Sequence, residues 1–294
     1  MKMKGTLVKC VVVFLLLLLP LKGYGQQELL IGLIPEENIF NQMDRYRPLA
    51  AYLSSKLGMK IRLTILSRYG DVIDKFDSRK MDGAFFEVFT AVLAMEKLSV
   101  EPIVTKVNLD GTSTSRGYIF VRQDSGIRTV KDMKGKRMAF VDKATVTGYL
   151  FAVSFLRENG VKSIERYFKE YYFTGSHDSA IYSVLDNRAD IGAADGEVYL
   201  RMVEKDPSIK NELFFVAQSP PVPDTTLCLR KDLPGEVKSK IKEILLNMDK
   251  DPESKEVLRN LRVIKFRGAS KDDFLPVFEI AKKAGVDIKS YRYK

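Results

Sequence analysis

Arg137-Met-Ala-Phe-Val-Asp142-Lys-Ala-Thr-Val-Thr-Gly148 decides how this chain folds. Apolar residues over 137–141 read as a strand, and residues 148–159 carry the spacing of an amphipathic helix. The linker 142–148 is therefore a strand-to-helix junction. Thr145 and Thr147 bring hydroxyl donors there, beside the free N–H groups and positive dipole end of the coming helix. Such a junction can hold an oxyanion without a lysine.

The same alternation extends in both directions, which argues for an α/β chain. Upstream, strands are predicted over 29–34, 61–65, 83–86 and 102–107. A helix opens at Pro48 with Leu49, Leu53 and Leu57 on one side and closes at Gly58, and a shorter one carries Val72, Ile73 and Phe76. Downstream come strands over 118–121, 171–173, 191–194, 213–217 and 226–229, with a helix over 178–185. Two long helical patterns close the chain, near 235–248 and 271–284. Ser270 is placed to cap the last of them and Pro276 to kink it. The economical arrangement is two α/β lobes, the second inserted into the first, with crossings near 115–122 and 216–226. Open α/β sheets bind ligands in the crevice at strand ends, here between the lobes.

Two further junctions fit that crevice. Phe173-Thr-Gly-Ser-His-Asp178 repeats the strand–turn–helix theme, with Ser176 as a natural cap and His177, the single histidine, at the helix start. Asp195 and Glu197 follow the strand over 191–194. There they accept hydrogen bonds from a protonated ligand oxygen or an amine, or simply complement the next helix dipole.

The first 25 residues read as a secretory signal. Lys2, Lys4 and Lys9 precede an apolar run over 11–19, Pro20 breaks it, and Gly23-Tyr-Gly25 suits cleavage before Gln26. The run is too short to span a bilayer. Removing this segment lowers the formal net charge from +10 to +6. Export and the lack of a long basic block argue against nucleic acid as a partner. The second cysteine of the chain, Cys228, then has no internal disulfide partner and reads as a buried strand residue. No cysteine or second histidine stands near His177, so no metal or other cofactor is expected. Ser176, His177 and Asp178 are adjacent and cannot converge as a triad, and no Gly-x-Ser-x-Gly turn occurs, so enzymatic activity is not expected.

With these segments in view, the chain resembles the periplasmic phosphate/phosphite/phosphonate-binding proteins of ABC importers over nearly its whole mature length. Ile31-Gly-Leu-Ile-Pro-Glu-Glu37 is similar to that family's first strand and turn, and Ser67-Arg-Tyr69 to the segment that supplies an aromatic hydroxyl. Gly83-Ala-Phe-Phe86 resembles the strand before a second aromatic contact. Asp142 to Leu150 resembles the Asp-Pro-x-Ser-Thr-Ser-Gly-Tyr-Leu signature, Gly175-Ser-His-Asp178 the Gly-Ser-His-Asp signature, and Ser219-Pro-Pro-Val-Pro223 the returning strand.

The resemblance implies a type II periplasmic-binding-protein clamshell. Lobe 1 would comprise 26–118 and 222–294, and lobe 2 residues 119–221, with two strand crossovers between them. It implies a monomer that captures a small oxyanion and presents it to the importer's membrane permease, with Tyr69, Thr145, Thr147, His177 and Glu197 as ligand contacts. Departures from the family pattern also mark the site. Phe86 stands where a tyrosine often donates, Val146 replaces a hydroxyl residue, and Thr225 takes a position that is acidic in aminophosphonate binders, with Asp224 next to it. Unpartnered buried polar groups cost about 1–3 kcal/mol each, so these changes alter ligand choice. They disfavour amine-bearing phosphonates and leave phosphate, phosphite or another small oxyanion. Other readings keep the fold and change the role: a sulfonate or pyrimidine-precursor binder, a reporter to a sensor kinase, or an exported hydrolase.

Overall fold

The computed structural model describes residues 28–78 and 80–293; the predicted export signal lies outside them. The strands, in chain order, are β1 Glu28–Leu33, β2 Lys60–Ile65, β3 Gly83–Phe86, β4 Val100–Asn108, β5 Thr114–Ser115, β6 Gly117–Arg122 and β7 Arg137–Phe140. They continue as β8 Glu170–Phe173, β9 Ile191–Asp195, β10 Leu213–Gln218, β11 Val222–Pro223, β12 Thr226–Arg230 and β13 Val263–Gly268. Two lobes result. One is built on a six-stranded sheet of order β13-β4-β12-β3-β1-β2, the other on a five-stranded sheet of order β10-β6-β9-β7-β8.

Both sheets are mixed. β1 pairs in parallel with β2 and β3, and β7 with β8 and β9, whereas β12 runs antiparallel to β3 and β4. The parallel strands are covered on both faces, which is why they read as apolar runs and not as strict alternation. In β1, Leu29, Ile31 and Leu33 enter one core with the helices Ile39–Leu57 and Gly235–Leu246. Ile34, just past the strand, joins the opposite core with Phe86 and Cys228. Among the described residues, no helix is long and apolar enough to cross a membrane.

Two chain crossings join the lobes. β5 and β11 pair there as a short antiparallel ladder of Ser115 with Val222 and Thr114 with Pro223. Ser219 clamps the entry to β6: its Oγ accepts from the Gly117 N–H at 2.9 Å, and its own N–H donates to the Gly117 carbonyl at 2.8 Å.

Several boundaries differ from the sequence reading. The first helix begins at Ile39, capped by the Asn38 side chain, and Pro48 lies inside it. The missing Pro48 N–H is tolerated because Gln42, Arg45, Tyr46 and Leu49 bury one continuous face. Pro276 does not kink a helix: Lys271–Phe274 is a 3₁₀ turn closed by the Asp273 carboxylate on the Ser270 N–H, and the α-helix Leu275–Lys283 starts with Pro276 in its first turn. The helix predicted from Gly148 starts earlier, with a π-helical turn Val146–Leu150 running into the α-helix Phe151–Glu158. The helices Val88–Lys97 and Lys255–Leu261 and edge strand β13 have no counterpart in the sequence reading.

Candidate functional site

The C-terminal ends of the parallel strands lie between the lobes, with a cavity of about 20 Å³ there, room for about one water.

The junction after β7 forms its turn from local side-chain bonds. The Asp142 carboxylate accepts from the Ala144 N–H at 2.8 Å, and Thr145 Oγ1 donates to the Asp142 carbonyl at 2.7 Å. The π turn follows, with the Leu150 N–H reaching the Thr145 carbonyl, a widening of the helix that recurs at functional sites. Thr147 is buried, and its Oγ1 donates to Glu87 Oε1 at 3.2 Å across the lobe boundary. Gly117 has to be glycine here, because a Cβ would stand 2.8 Å from the Thr147 Cα and carbonyl oxygen.

The junction after β8 places His177 at the start of the helix His177–Leu185, capped by Ser176. The imidazole is 1% exposed, and its Nδ1 accepts the Asp195 N–H at 3.0 Å. That bond fixes the tautomer: in the neutral ring the proton must sit on Nε2, which is buried without a partner. Burial pushes the ring pKa down to about 4, against the pull of Glu36 and Asp178, so the ring stays a neutral donor at neutral pH. Tyr69 stands edge-on to it at 5.9 Å and is fully buried, its hydroxyl also without a partner.

Charged groups surround the cavity. Arg45 bridges Glu36 at 3.0 Å and Glu37 at 2.9 Å, and Arg201 approaches the same two at 3.7 and 3.6 Å. Burial alone would raise the Glu36 pKa, but the charges of Lys106, Arg45 and Arg201 and the Thr225 hydroxyl outweigh it and hold it well below the carboxylate range. Lys106 pairs with Asp224 at 3.0 Å, and Asn108 donates to the same carboxylate at 2.7 Å. Asp195 caps the helix Gly196–Lys205 and accepts from Ser115 Oγ at 2.5 Å.

The structure brings some of the predicted residues together and leaves others aside. His177, Glu197 and Asp224 line the cavity, Thr147 reaches it through Glu87, and Tyr69 packs on His177. Thr145 directs its hydroxyl into its own turn. Val146 and Phe86 lie in the apolar core, Phe86 stacked on Phe76 at 6.4 Å. Sequence reasoning gave no role to Glu36, Glu87, Lys106 or Arg201. Glu87 directly follows β3, so the strand-end rule used for Asp195 would have found it, and Lys106 is the one charge within the predicted strand 102–107. Nothing local marks Arg201.

Asp195 supplies a pH test. Burial, reinforced by the negative charge of Asp224, pushes its carboxyl up to about 7 in spite of the Ser115 hydrogen bond. The folded state therefore keeps a proton that the unfolded chain releases near pH 4, and this contribution to stability is lost as pH rises through about 7. His177 acts oppositely, its contribution being present above pH 6.5 and lost as pH falls toward 4. Urea midpoints of the wild type should accordingly fall between pH 5 and pH 8 relative to those of Asp195→Asn. A difference that does not vary with pH would remove Asp195 as a buried titrating group.

Comparison with known proteins places the fold in a family. Residues 31–274 match the family model described as ABC transporter, phosphonate, periplasmic substrate-binding protein. The phosphonates-binding periplasmic protein of Escherichia coli is 25% identical over 271 residues, covering 90% of this chain and 79% of that protein. A phosphate-import protein of Mycolicibacterium smegmatis is 27% identical, covering 72% of this chain and 69% of its own length. Among solved structures, a binding component of an ABC phosphonate transporter from Pseudomonas aeruginosa superposes with a TM-score of 0.82 at 22% identity, over 88% of this chain and 87% of that one. A Prochlorococcus marinus protein in complex with methylphosphonate gives 0.79 at 22% identity, over 88% and 99%. With a match spanning most of its length and a clamshell of the same type, this chain belongs to the family of periplasmic substrate-binding proteins of ABC phosphonate transporters.

Proposed function

We propose that this protein, exported to the periplasm and cleaved near Gly25-Gln26, works as a monomer that closes its two lobes around one small phosphorus oxyanion. The candidates are phosphate, phosphite and a phosphonate, and the closed form is presented to an importer permease. The lobes are residues 26–118 with 222–294, and 119–221, and closure is a hinge motion at the two crossings. One observation carries the reading. The Nε2–H of His177, a donor by tautomer, is buried without a partner beside the cavity, and the unpartnered Tyr69 hydroxyl packs next to it. A ligand oxygen would satisfy such donors, and unpartnered they cost about 1–3 kcal/mol each. The names of the relatives, which include phosphonate binding and phosphate import, support the ligand class.

No covalent step is involved. Thr147, His177 and Tyr69 hold the oxyanion by hydrogen bonds, and Glu197 reads a ligand proton or an amine. Asp224 is already paired with Lys106, so its carboxylate positions that lysine.

Calorimetry with phosphate, phosphite, methylphosphonate and 2-aminoethylphosphonate tests the reading, and no affinity tighter than millimolar for any of them overturns it. Thr147→Ala and His177→Ala should each weaken binding by about 1–3 kcal/mol, roughly 5- to 150-fold. Unchanged affinity in both would mean that these side chains only shape the turns.

A further inference from the structure

Glu87 stands where an oxyanion would be expected. It is the residue between β3 and the helix Val88–Lys97, it is 8% exposed, and its side chain does not cap its own helix. Its carboxyl instead crosses to the other lobe, where Oε1 accepts from Thr147 Oγ1 at 3.2 Å and the Thr147 N–H also donates to the carboxyl. The second oxygen, Oε2, is buried without a partner. A helix-start hydroxyl and N–H are thus already answered by a carboxyl oxygen, one that belongs to the protein. The remaining cavity of about 20 Å³ has room for roughly one water, so a tetrahedral oxyanion would crowd this carboxyl.

We propose that the Glu87 carboxyl is the protein's own occupant of the anion seat at Val146–Leu150, and that an incoming oxyanion shares the seat only with the protonated carboxyl, which makes capture proton-coupled.

The surroundings favour this coupling. Asp195 and Glu36 bear on Glu87 as like charges, and Asp224 and Glu197 line the same cavity. Of the cations lining the cavity, Lys106 pairs with Asp224, while Arg201 stands 3.7 and 3.6 Å from Glu36 and Glu37 with its Nε and Nη2 buried without a hydrogen-bond partner. His177 and Tyr69 are neutral donors. Burial, then the charge of Asp195, raise the Glu87 pKa well above its usual range, against the two Thr147 hydrogen bonds. An oxyanion set beside an ionised Glu87 would meet a like charge, and no cation among the described residues is paired with Glu87 to offset it. Beside a protonated Glu87 it meets an O–H donor. Above the titration of Glu87, binding therefore takes one proton from solvent onto this carboxyl, and affinity falls as pH rises. By holding Thr147 itself, the carboxyl also provides a contact between the lobes.

The inference rests on the phosphorus-oxyanion reading, and one set of titrations separates the two. Methylphosphonate affinity is measured at pH 6 and pH 9 for the wild type, Glu87→Gln, Glu87→Ala, and an Asp195→Asn pair with and without Glu87→Gln. Ligand ionisation is common to all, so the ratio of wild type to Glu87→Gln isolates Glu87. That ratio is expected near unity at pH 6. Toward pH 9 the ratio should move in favour of Glu87→Gln, by up to about tenfold for each pH unit above the titration of Glu87. The same trend should persist in the Asp195→Asn pair. Binding by the Glu87 variants alone at both pH values, with none by the wild type, overturns the proton coupling. A ratio independent of pH overturns it and leaves the oxyanion reading standing, as does a ratio whose pH dependence vanishes in the Asp195→Asn pair. No binding by any variant overturns both.

Discussion

Arg45→Met is expected to destabilise the protein by about 3–5 kcal/mol, the usual result of removing one partner from a buried ion pair. Arg45 and Arg201 together neutralise Glu36 and Glu37, and all four side chains are less than a tenth exposed. Arg45 makes the two close contacts, so methionine leaves two buried carboxylates with one more distant guanidinium. Glu36 now sits well below the carboxylate range, a shift that contributes stability above its unfolded pKa and loses it as pH falls. In the variant that depression shrinks, so the gap to wild type should be full near pH 7 and narrower near pH 4, below the ordinary carboxylate pKa. Arg45→Lys, which keeps the charge without the planar fork, should fall between them. Urea unfolding of the three proteins at both pH values provides the check. A loss below about 1 kcal/mol for Arg45→Met would mean that the cluster contributes no more than an exposed pair.

Phe140→Ala should cost a similar amount, about 3–5 kcal/mol, and weaken ligand binding as well. Phe140 is fully buried at the end of β7, with the rings of Tyr149, Tyr171 and Phe173 at 5.1, 5.9 and 5.9 Å. Its carbonyl accepts from the Thr174 N–H at 2.8 Å and the Thr174 hydroxyl at 3.1 Å, tying the second ligand-facing turn to the strand that leads into the first. A cavity at this position removes packing beneath both turns at once. Phe140→Leu, closer in volume, should cost less than about 1.5 kcal/mol and leave affinity near wild type. Denaturation and calorimetry on the same samples separate the two effects. Full affinity in a destabilised Phe140→Ala would show that the turns hold their geometry without the ring.

Much of the fold was legible because buried parallel strands and amphipathic helices follow from local composition. The runs over 29–34, 83–86 and 137–141 lie within a residue of the observed strands. The misses have physical causes. Val88–Lys97 is apolar on nearly every face, so it carries no helical stripe. In β13, Val263 and Phe266 are buried while Ile264 and Lys265 are exposed, because a bulge against β4 breaks the alternation. The first helix was read from its proline and not from its true cap, Asn38.

At the site, the strand–turn–helix junctions around Thr147 and His177 are properties of the sequence: short-range spacing places hydroxyls and a histidine at helix starts. What each group faces is not such a property. The tautomer of His177 depends on a backbone N–H 18 residues away, Lys106 on an aspartate 118 residues on, and Thr147 on a glutamate 60 residues earlier. Charge state and hydrogen-bond direction in a buried cleft are set by neighbours in space and by the loss of water. The sequence alone therefore determined a two-lobed binder with donors at two helix starts. Only the tertiary structure decided that a carboxyl of the protein already sits on one of them.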